Sequence, residues 1–347
     1  MASLARGGLA AASLCYRAGV WARNECFDRG WKRTFAAGVP VVSVGNVTAG
    51  GTGKTPVVAF LTRWFVDQGL RPVILSRGYR AFERELPTPE RINDEKLVLA
   101  RLCPGIPHVQ NPDRVAGARR AVDEYAAQVL ILDDGFQHRR LRRDLDIVLI
   151  DAVDPFGYGR LLPRGLLREP LSGLRRADAI VISRADRLTD DSRRAILATI
   201  APYRPAGETP IEIAFPPADL VDASGARTGL AAIRDKKVGA FCGIGNPPAF
   251  RRTLDDLGAN VVHWRTFPDH HHYTAQELDD VAAAARVAEA EILATTLKDL
   301  VKIAAEESGG LPLWGVNIGA RVLRGGDALE QLLGTIAAAV ASPPRPS

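Results

Sequence analysis

The chain lacks several features that would assign it quickly to a class. Its four cysteines, Cys15, Cys26, Cys103 and Cys242, make no C-x-x-C pair, which argues against a zinc site and for a reducing compartment. It has no apolar run of the ~18 residues that a conventional membrane-spanning helix needs. Neither sign of charge dominates. The net charge is +5 and basic residues are scattered among acidic ones, which weighs against nucleic acid as a partner. Histidine clusters only at His270-His271-His272, with no second Cys/His group. Adjacent side chains do not converge easily on one ion, so one of these histidines serving an active site is a better reading than a metal triplet. What remains is a chain of 347 residues, 46% apolar and 24% charged, globular in composition and long enough for about two domains.

The richest stretch is Val41-Val42-Ser43-Val44-Gly45-Asn46-Val47-Thr48-Ala49-Gly50-Gly51-Thr52-Gly53-Lys54-Thr55-Pro56. A Val-rich run reads as a buried strand, the glycines as a turn, and Pro56 to Val66 as a helix. Strand, glycine loop, Lys-Thr and helix form a phosphate-binding loop. Gly50, Gly51, Thr52 and Gly53 let backbone N–H groups converge on phosphate oxygens at a helix N-terminus. Lys54 then reaches the outer phosphates and Thr55 holds Mg²⁺, the expected metal. The first glycine of G-x-x-x-x-G-K-[ST] is replaced by Thr48.

The rest of the chain alternates strand and helix, which predicts an α/β fold with a parallel sheet and flanking helices. Pro72–Ser76 reads as a strand ending in Arg77-Gly78-Tyr79-Arg80, at the carboxyl end where such sheets place ligands. This makes Arg77 a candidate substrate contact. Residues 83–93 read as a loop, Asp94 as a plausible helix cap, and Val115–Ala127 as a helix. Val129–Asp133 is a strand ending in Asp133-Asp134, the Walker B position for Mg²⁺. Further strands are expected at Asp146–Asp151 and Ala179–Ser183. Ile211–Phe215 and Leu220-Val221 read as short strands of a linker. A second α/β domain follows, with strands at Val238–Cys242, Val261–Trp264 and Ile292–Thr296 and helices at 248–257 and 275–288. The last 20 residues are Ala- and Pro-rich, and the end is expected to fray.

The N-terminal segment carries two readings. Leu9–Cys15 is short for a signal-peptide core and no small-residue cleavage site follows. Phe27, Trp31 and Phe35 fall at i, i+4, i+8, interleaved with Arg23, Arg29, Lys32 and Arg33. That pattern fits a helix lying in a membrane interface and equally a surface helix packed on its own domain.

Gly45-Asn46 with Gly50–Pro56 resembles the loop of the tetraacyldisaccharide 4′-kinase family, the lipid A 4′-kinases. Ser76-Arg77-Gly78-Tyr79, Asp94-Glu95, Asp133–His138, Leu167–Pro170, Gly243–Pro247 and Phe267–His270 resemble it too, in the family's order from about residue 40 to 300. One departure is Leu297, where the family usually has Glu. The resemblance implies ATP-dependent phosphorylation of the 4′-hydroxyl of a tetraacyl glucosamine disaccharide 1-phosphate, giving lipid IVA. It implies work at the cytoplasmic face of the inner membrane of a Gram-negative bacterium, and tips the N-terminal segment toward membrane docking; no protein partner is predicted. It also implies roles. Asp94 and His270 form a catalytic dyad, Asp133, Asp134 and Glu169 organise Mg²⁺ and phosphate, and Arg114 and Arg168 contact substrate or phosphate.

The expected domains are 1–38 as membrane-docking helix, 39–205 as kinase core, 206–235 as linker strands, and 236–347 as the smaller domain. Asp94 and His270 then fall in different domains, predicting a cleft completed by closure. Two rival classes fit less well. A nucleotide switch would need N-K-x-D where Ser183-Arg184-Ala185-Asp186 stands. A partitioning-type ATPase would need a lysine where Ala49 precedes the double glycine.

Overall fold

In a computed structural model of the chain, which describes residues 2–78, 94–204, 208–303 and 307–341, all six residues of β1 (Val41–Asn46) are buried. A strand buried along its whole length must be covered on both faces, the condition of a parallel sheet between helical layers. The described helices are α1 (Ala2–Asp28), α2 (Lys54–Asp67), α3 (Asp94–Leu102), α4 (Arg114–Tyr125), α5 (Asp190–Ile200), α6 (Pro247–Asp256), α7 (Ala275–Val287), α8 (Leu297–Leu300) and α9 (Gly326–Ala341). After β1 the strands are β2 (Pro72–Ser76), β3 (His108–Gln110), β4 (Val129–Asp133), β5 (Leu145–Asp151), β6 (Ala179–Ser183) and β7 (Ile211–Ala214). Then come β8 (Pro217–Val221), β9 (Arg227–Thr228), β10 (Lys237–Cys242), β11 (Asn260–Thr266), β12 (Ile292–Thr296), β13 (Glu307–Ser308), β14 (Leu311–Ile318) and β15 (Arg321–Arg324).

The described residues divide into two compact units. The first comprises those of Met1–Gly78, Gly105–Phe215 and Ala320–Ser347. Its sheet has the order β15-β7-β6-β5-β1-β4-β2-β3, parallel throughout except that β15 runs antiparallel to β7. β1 lies between β4 and β5, so its carboxyl end opens where successive connections leave to opposite sides. That is the switch point at which open α/β sheets bind ligands. Two apolar clusters flank the sheet. One is built on Val148, Ile180, Ile182 and Ile196, the other on Leu75, Leu130, Leu132 and Val115.

The second unit comprises the described residues of Tyr79–Pro104 and Pro216–Gly319. Its sheet runs β11-β10-β12-β14-β8-β9, with β13 paired to β14. β10, β11, β12 and β14 are mutually parallel and β8 is antiparallel. Phe250, Leu254, Val238, Ala240 and Ala294 form its core. Thr274 and Glu277 close a capping box at the start of α7, fixing the chain that arrives from His270.

Several expectations are corrected. The two strands expected as a linker are structural members of the sheets: β7 hydrogen-bonds β6 in the first and β8 hydrogen-bonds β14 in the second. Residues 94–104 belong to the second unit rather than to a continuous 39–205 core, with α3 packed beside α8. α9 buries Leu329, Leu333 and Ile336, and the end expected to fray, residues 342–347, lies outside the description. So does the loop expected over 83–93.

The aromatic stripe Phe27, Trp31, Phe35 does not lie on one helix face. α1 stops at Asp28, and Gly30 at φ +71° turns the chain, a conformation only glycine takes without strain. Phe35 then bridges to Leu141 as a strand-like residue. The face of α1 that stays open carries other residues. Ala11, Leu14, Cys15, Ala18, Trp21 and Ala22 are exposed at helical spacing, with Leu14 at 65% and Trp21 at 62%. The opposite face holds the helix to its unit: Ser13 Oγ donates to the Leu161 carbonyl, Tyr16 Oη donates to that of Arg168, and Val20 is buried.

Candidate active site

The loop after β1 is shaped for an anion. Gly50 and Gly53 sit at φ +124° and +82°, the left-handed region where glycine is at ease. At Gly53 a Cβ would also come within 2.1 Å of the Phe215 ring. Gly53 is the cap of α2 and has no side chain to bond the N–H groups there, which suits the helix N-terminus to phosphate oxygens. The buried Thr52 hydroxyl has no hydrogen-bond partner among the described residues. Asn46 at the end of β1 holds the loop from below, its Nδ2 donating to the Thr48 carbonyl at 2.7 Å. Its Oδ1 accepts from Lys54 Nζ at 3.2 Å.

The Walker B carboxylates sit one strand away. β4 pairs with β1 so that Asp133 aligns with Val44. Asp134 follows at φ +53°, a left-handed residue that costs backbone energy and aims its side chain at Lys54, 3.3 Å from Nζ. Arg168 Nη1 donates to both oxygens of Asp134 at 2.8 and 2.9 Å. Burial works against the charge of Asp134, but Lys54 and Arg168 hold its pKa below the usual carboxylate value. Arg168 is placed by the backbone: its N–H donates to the Val47 carbonyl at 2.7 Å, and Ala49 N–H donates to Leu166 O at 2.6 Å. The segment Leu161–Pro170 is thereby stitched to the phosphate loop.

Arg114 begins α4, whose cap is Asp113. It is buried, and its Nε has no hydrogen-bond partner among the described residues. Desolvation and the nearby Arg77 lower its pKa to about 10, partly offset by Asp134 and Asp133, so it stays charged at neutral pH. Arg77 is exposed at the end of β2. Arg77, Asp133 and Asp134 all act electrostatically on Arg114, and Arg168 pairs with Asp134.

Glu169 stands apart from that group. Its side chain is 0% exposed and paired at 2.7 Å with Arg176, and its other oxygen accepts from Gln137 Nε2 at 2.8 Å. The same Gln137 nitrogen donates to the Asn46 carbonyl at 2.9 Å. Glu169 thus braces the base of the phosphate loop with both oxygens already engaged. Arg184, at the end of β6, had no assigned role in the sequence; its Nη2 donates to the Gly51 carbonyl at 2.8 Å. The strand-end rule that singled out Arg77 applies to it equally.

In the second unit, Asp94 opens α3 and is buried. His270 Nδ1 lies 3.0 Å from Asp94 Oδ2. The two residues expected in different domains therefore meet inside one unit. His270 is in the left-handed region at φ +61°, with its N–H donating to the Gly243 carbonyl at 3.2 Å. Gly243 is crowded: a Cβ there would meet Tyr273 Oη at 2.9 Å and the Pro268 carbonyl at 3.0 Å. This close approach sets Gly243 against the backbone that leads from Pro268 to His270. The ring of His270 remains 61% exposed, so the hydrogen-bonded pair has one buried member and one accessible member. Lys298 Nζ reaches Asp269 Oδ1 at 2.9 Å and His270 Nε2 at 3.4 Å. His271 turns away to Glu277 at 3.1 Å. Leu297 is buried in the core, so its lack of a polar group leaves nothing unpaired.

Residues 6–337 match the family described as Tetraacyldisaccharide-1-P 4′-kinase. A tetraacyldisaccharide 4′-kinase of Anaeromyxobacter sp. (strain Fw109-5) is 43% identical over 329 residues, covering 92% of this chain and 88% of that protein. One from Syntrophus aciditrophicus (strain SB) is 40% identical over 335 residues, covering 89% and 87%. The crystal structure of the Aquifex aeolicus enzyme LpxK, in complex with ATP, superposes with a TM-score of 0.76 at 32% identity, covering 95% of this chain and 99% of that one.

Proposed function

From the premise that the chain belongs to the tetraacyldisaccharide 4′-kinase family, and so is a kinase that phosphorylates the lipid A precursor at its 4′ position, we propose how its residues divide the work. The first unit holds the donor, ATP. Backbone N–H groups of Gly50–Gly53 and the start of α2 cradle its phosphates, and Lys54, Arg114 and Arg168 offset their charge, the main task in phosphoryl transfer. Arg77 contacts the anionic substrate. Thr55, Asp133 and Asp134 supply the hard oxygen donors that suit Mg²⁺, which would neutralise charge on the terminal phosphates. Glu169 acts at one remove, through Gln137 and Asn46.

The second unit activates the acceptor. The 4′-hydroxyl of a tetraacyl disaccharide 1-phosphate is a weak nucleophile and needs a base at hydrogen-bond distance. Asp94 and His270 supply it, and their 3.0 Å hydrogen bond is the observation that carries this assignment. The exposed His270 ring meets the hydroxyl while buried Asp94 orients it and balances the charge it gains.

Membrane docking belongs to α1. Among the described residues no helix is long and apolar enough to cross a membrane. The open face with Leu14 and Trp21, followed by exposed Trp31 with Arg29 5.2 Å from its ring centroid, has the composition of a helix lying in a lipid interface. The fit is to the anionic surface of an inner-membrane cytoplasmic leaflet.

The test is incubation of purified protein with γ-labelled ATP and the lipid disaccharide 1-phosphate in mixed micelles, with lipid products resolved. Label entering the lipid at the 4′ position supports the division. Label in lipid that persists undiminished in Asp94→Asn and His270→Ala removes the dyad from it.

A further inference from the structure

Lys302 lies just past α8 with a side chain only 3% exposed. A buried ammonium is costly unless it is paired. Its Nζ is 2.9 Å from Asp299 Oδ1 and 3.9 Å from Asp94 Oδ2, and it stands 5.3 Å from the centroid of the Tyr273 ring. Asp299 is fully buried and already well served on its other oxygen, which accepts from Gly243 N–H at 3.0 Å and Thr296 Oγ1 at 2.7 Å. One cation therefore lies between two buried carboxylates, and one of them is the dyad's aspartate.

We propose that Lys302 is a positioning residue for the kinase reaction: it holds Asp94 in place and turned toward His270. The proposal rests on the dyad reading of Asp94 and His270. A cation about 4 Å from a carboxylate attracts it and favours its charged form. The attraction acts on the oxygen the histidine uses, because Oδ2 is the atom shared by Lys302 and His270 Nδ1. Asp299 in turn anchors Lys302 and, through Gly243, the loop whose carbonyl holds the His270 N–H. The same three residues thus position both members of the dyad.

The other groups around the pair are accounted for. Lys298 and Asp269 face the His270 ring from its exposed side and are half in solvent. The Cys242 thiol is pushed up to about 12 by burial and by Asp299, and Tyr273 is also raised by burial, so both are neutral at working pH. His271 is engaged with Glu277. Lys302 is the buried cation next to Asp94 among the described residues.

The test compares kcat/KM for the lipid acceptor across pH in the full chain, wild type against Lys302→Met, Lys302→Arg and Lys302→Met/Asp299→Asn. Removing the cation is expected to move the acidic limb up by about one pH unit. It should also lower kcat at pH 7 about tenfold or more, with KM for ATP unchanged because the nucleotide is held elsewhere. Arg at the position should return the limb toward wild type. Lys302→Met alone leaves Asp299 buried and unpaired and can fail to fold. The double variant removes that burden while still depriving Asp94 of its cation, so the shifted limb should persist in it. A wild-type profile in the folded double variant overturns the proposal and leaves Lys302 serving Asp299 alone, as does a loss of rate with an unmoved limb. Asp94→Asn, assayed in parallel, separates the two failures: full activity there sinks the dyad itself, whereas inactivity there with an unmoved limb in the lysine variants sinks only the role of Lys302.

Discussion

His270 Nδ1 and Asp94 Oδ2 lie 3.0 Å apart across 176 residues of sequence. A buried carboxylate steadying an exposed imidazole is an arrangement that couples two side chains into one functional group. If they act as a unit, their losses do not add. Asp94→Ala and His270→Ala should each lower kcat strongly with little change in KM for ATP, and the double variant should be only slightly worse than the worse single. Measured kcat beside thermal melting decides it, since additive losses, or losses that follow melting alone, contradict a shared role.

Lys54 is partly buried against Asn46 and Asp134 and contributes nothing to the apolar core. Lys54→Ala should keep the melting temperature within a few degrees of wild type while lowering kcat on the order of 10²–10³ or more, the usual cost of one charge-stabilising contact. Wild-type turnover in folded Lys54→Ala would be incompatible with the donor site.

Docking through α1 can be probed without removing the helix, whose inner face is bonded to the rest of its unit. Leu14→Ser and Trp21→Ser together should leave the melting temperature nearly unchanged, because both side chains are exposed. Binding to anionic vesicles should fall by roughly 10-fold or more, given ~1.5–3 kcal/mol per fully buried large apolar side chain. Sedimentation with vesicles is the readout, and unchanged pelleting of the double variant would assign docking to another surface.

His138 gives the fold a pH dependence of predictable sign. Burial, reinforced by Arg114, Arg140 and Arg143 and opposed by Asp113, pushes its pKa down from 6.5 to about 4. Between those values the unfolded chain binds a proton that the folded chain refuses, so stability falls as pH drops through that window. The shift corresponds to an upper limit of ~3 kcal/mol, which solvent screening reduces. His138→Asn should flatten the dependence of melting temperature on pH between about 6.5 and 4. An unchanged slope would assign the acid sensitivity to other groups.

The parts of this protein that the sequence determined alone are those whose physics is local. β1 and β4 were visible because strands covered on both faces must be apolar along their whole length. The phosphate loop was visible because glycine at Gly50 and Gly53 and a lysine at the helix start are demanded by backbone conformation within one turn. Strand ends marked Arg77, Asp133 and Asp134 for the same reason. Tertiary structure alone decided what depends on distant segments packing together. β7 and β8 read as linker strands because short strands do not announce their partners, and their sheets are chosen by β6 and β14. Helical spacing suggested one stripe through Phe27, Trp31 and Phe35, but the turn at Gly30 ended the helix and gave the open face to Leu14 and Trp21. Glu169 read as one more carboxylate of the phosphate site, and only the folded chain pairs it with Arg176 and Gln137. Asp94 could equally have been a helix cap, since nothing in its neighbourhood along the chain names His270 or Lys302. Burial placed it: a carboxylate withdrawn from water must find its partners in space, wherever the chain brings them.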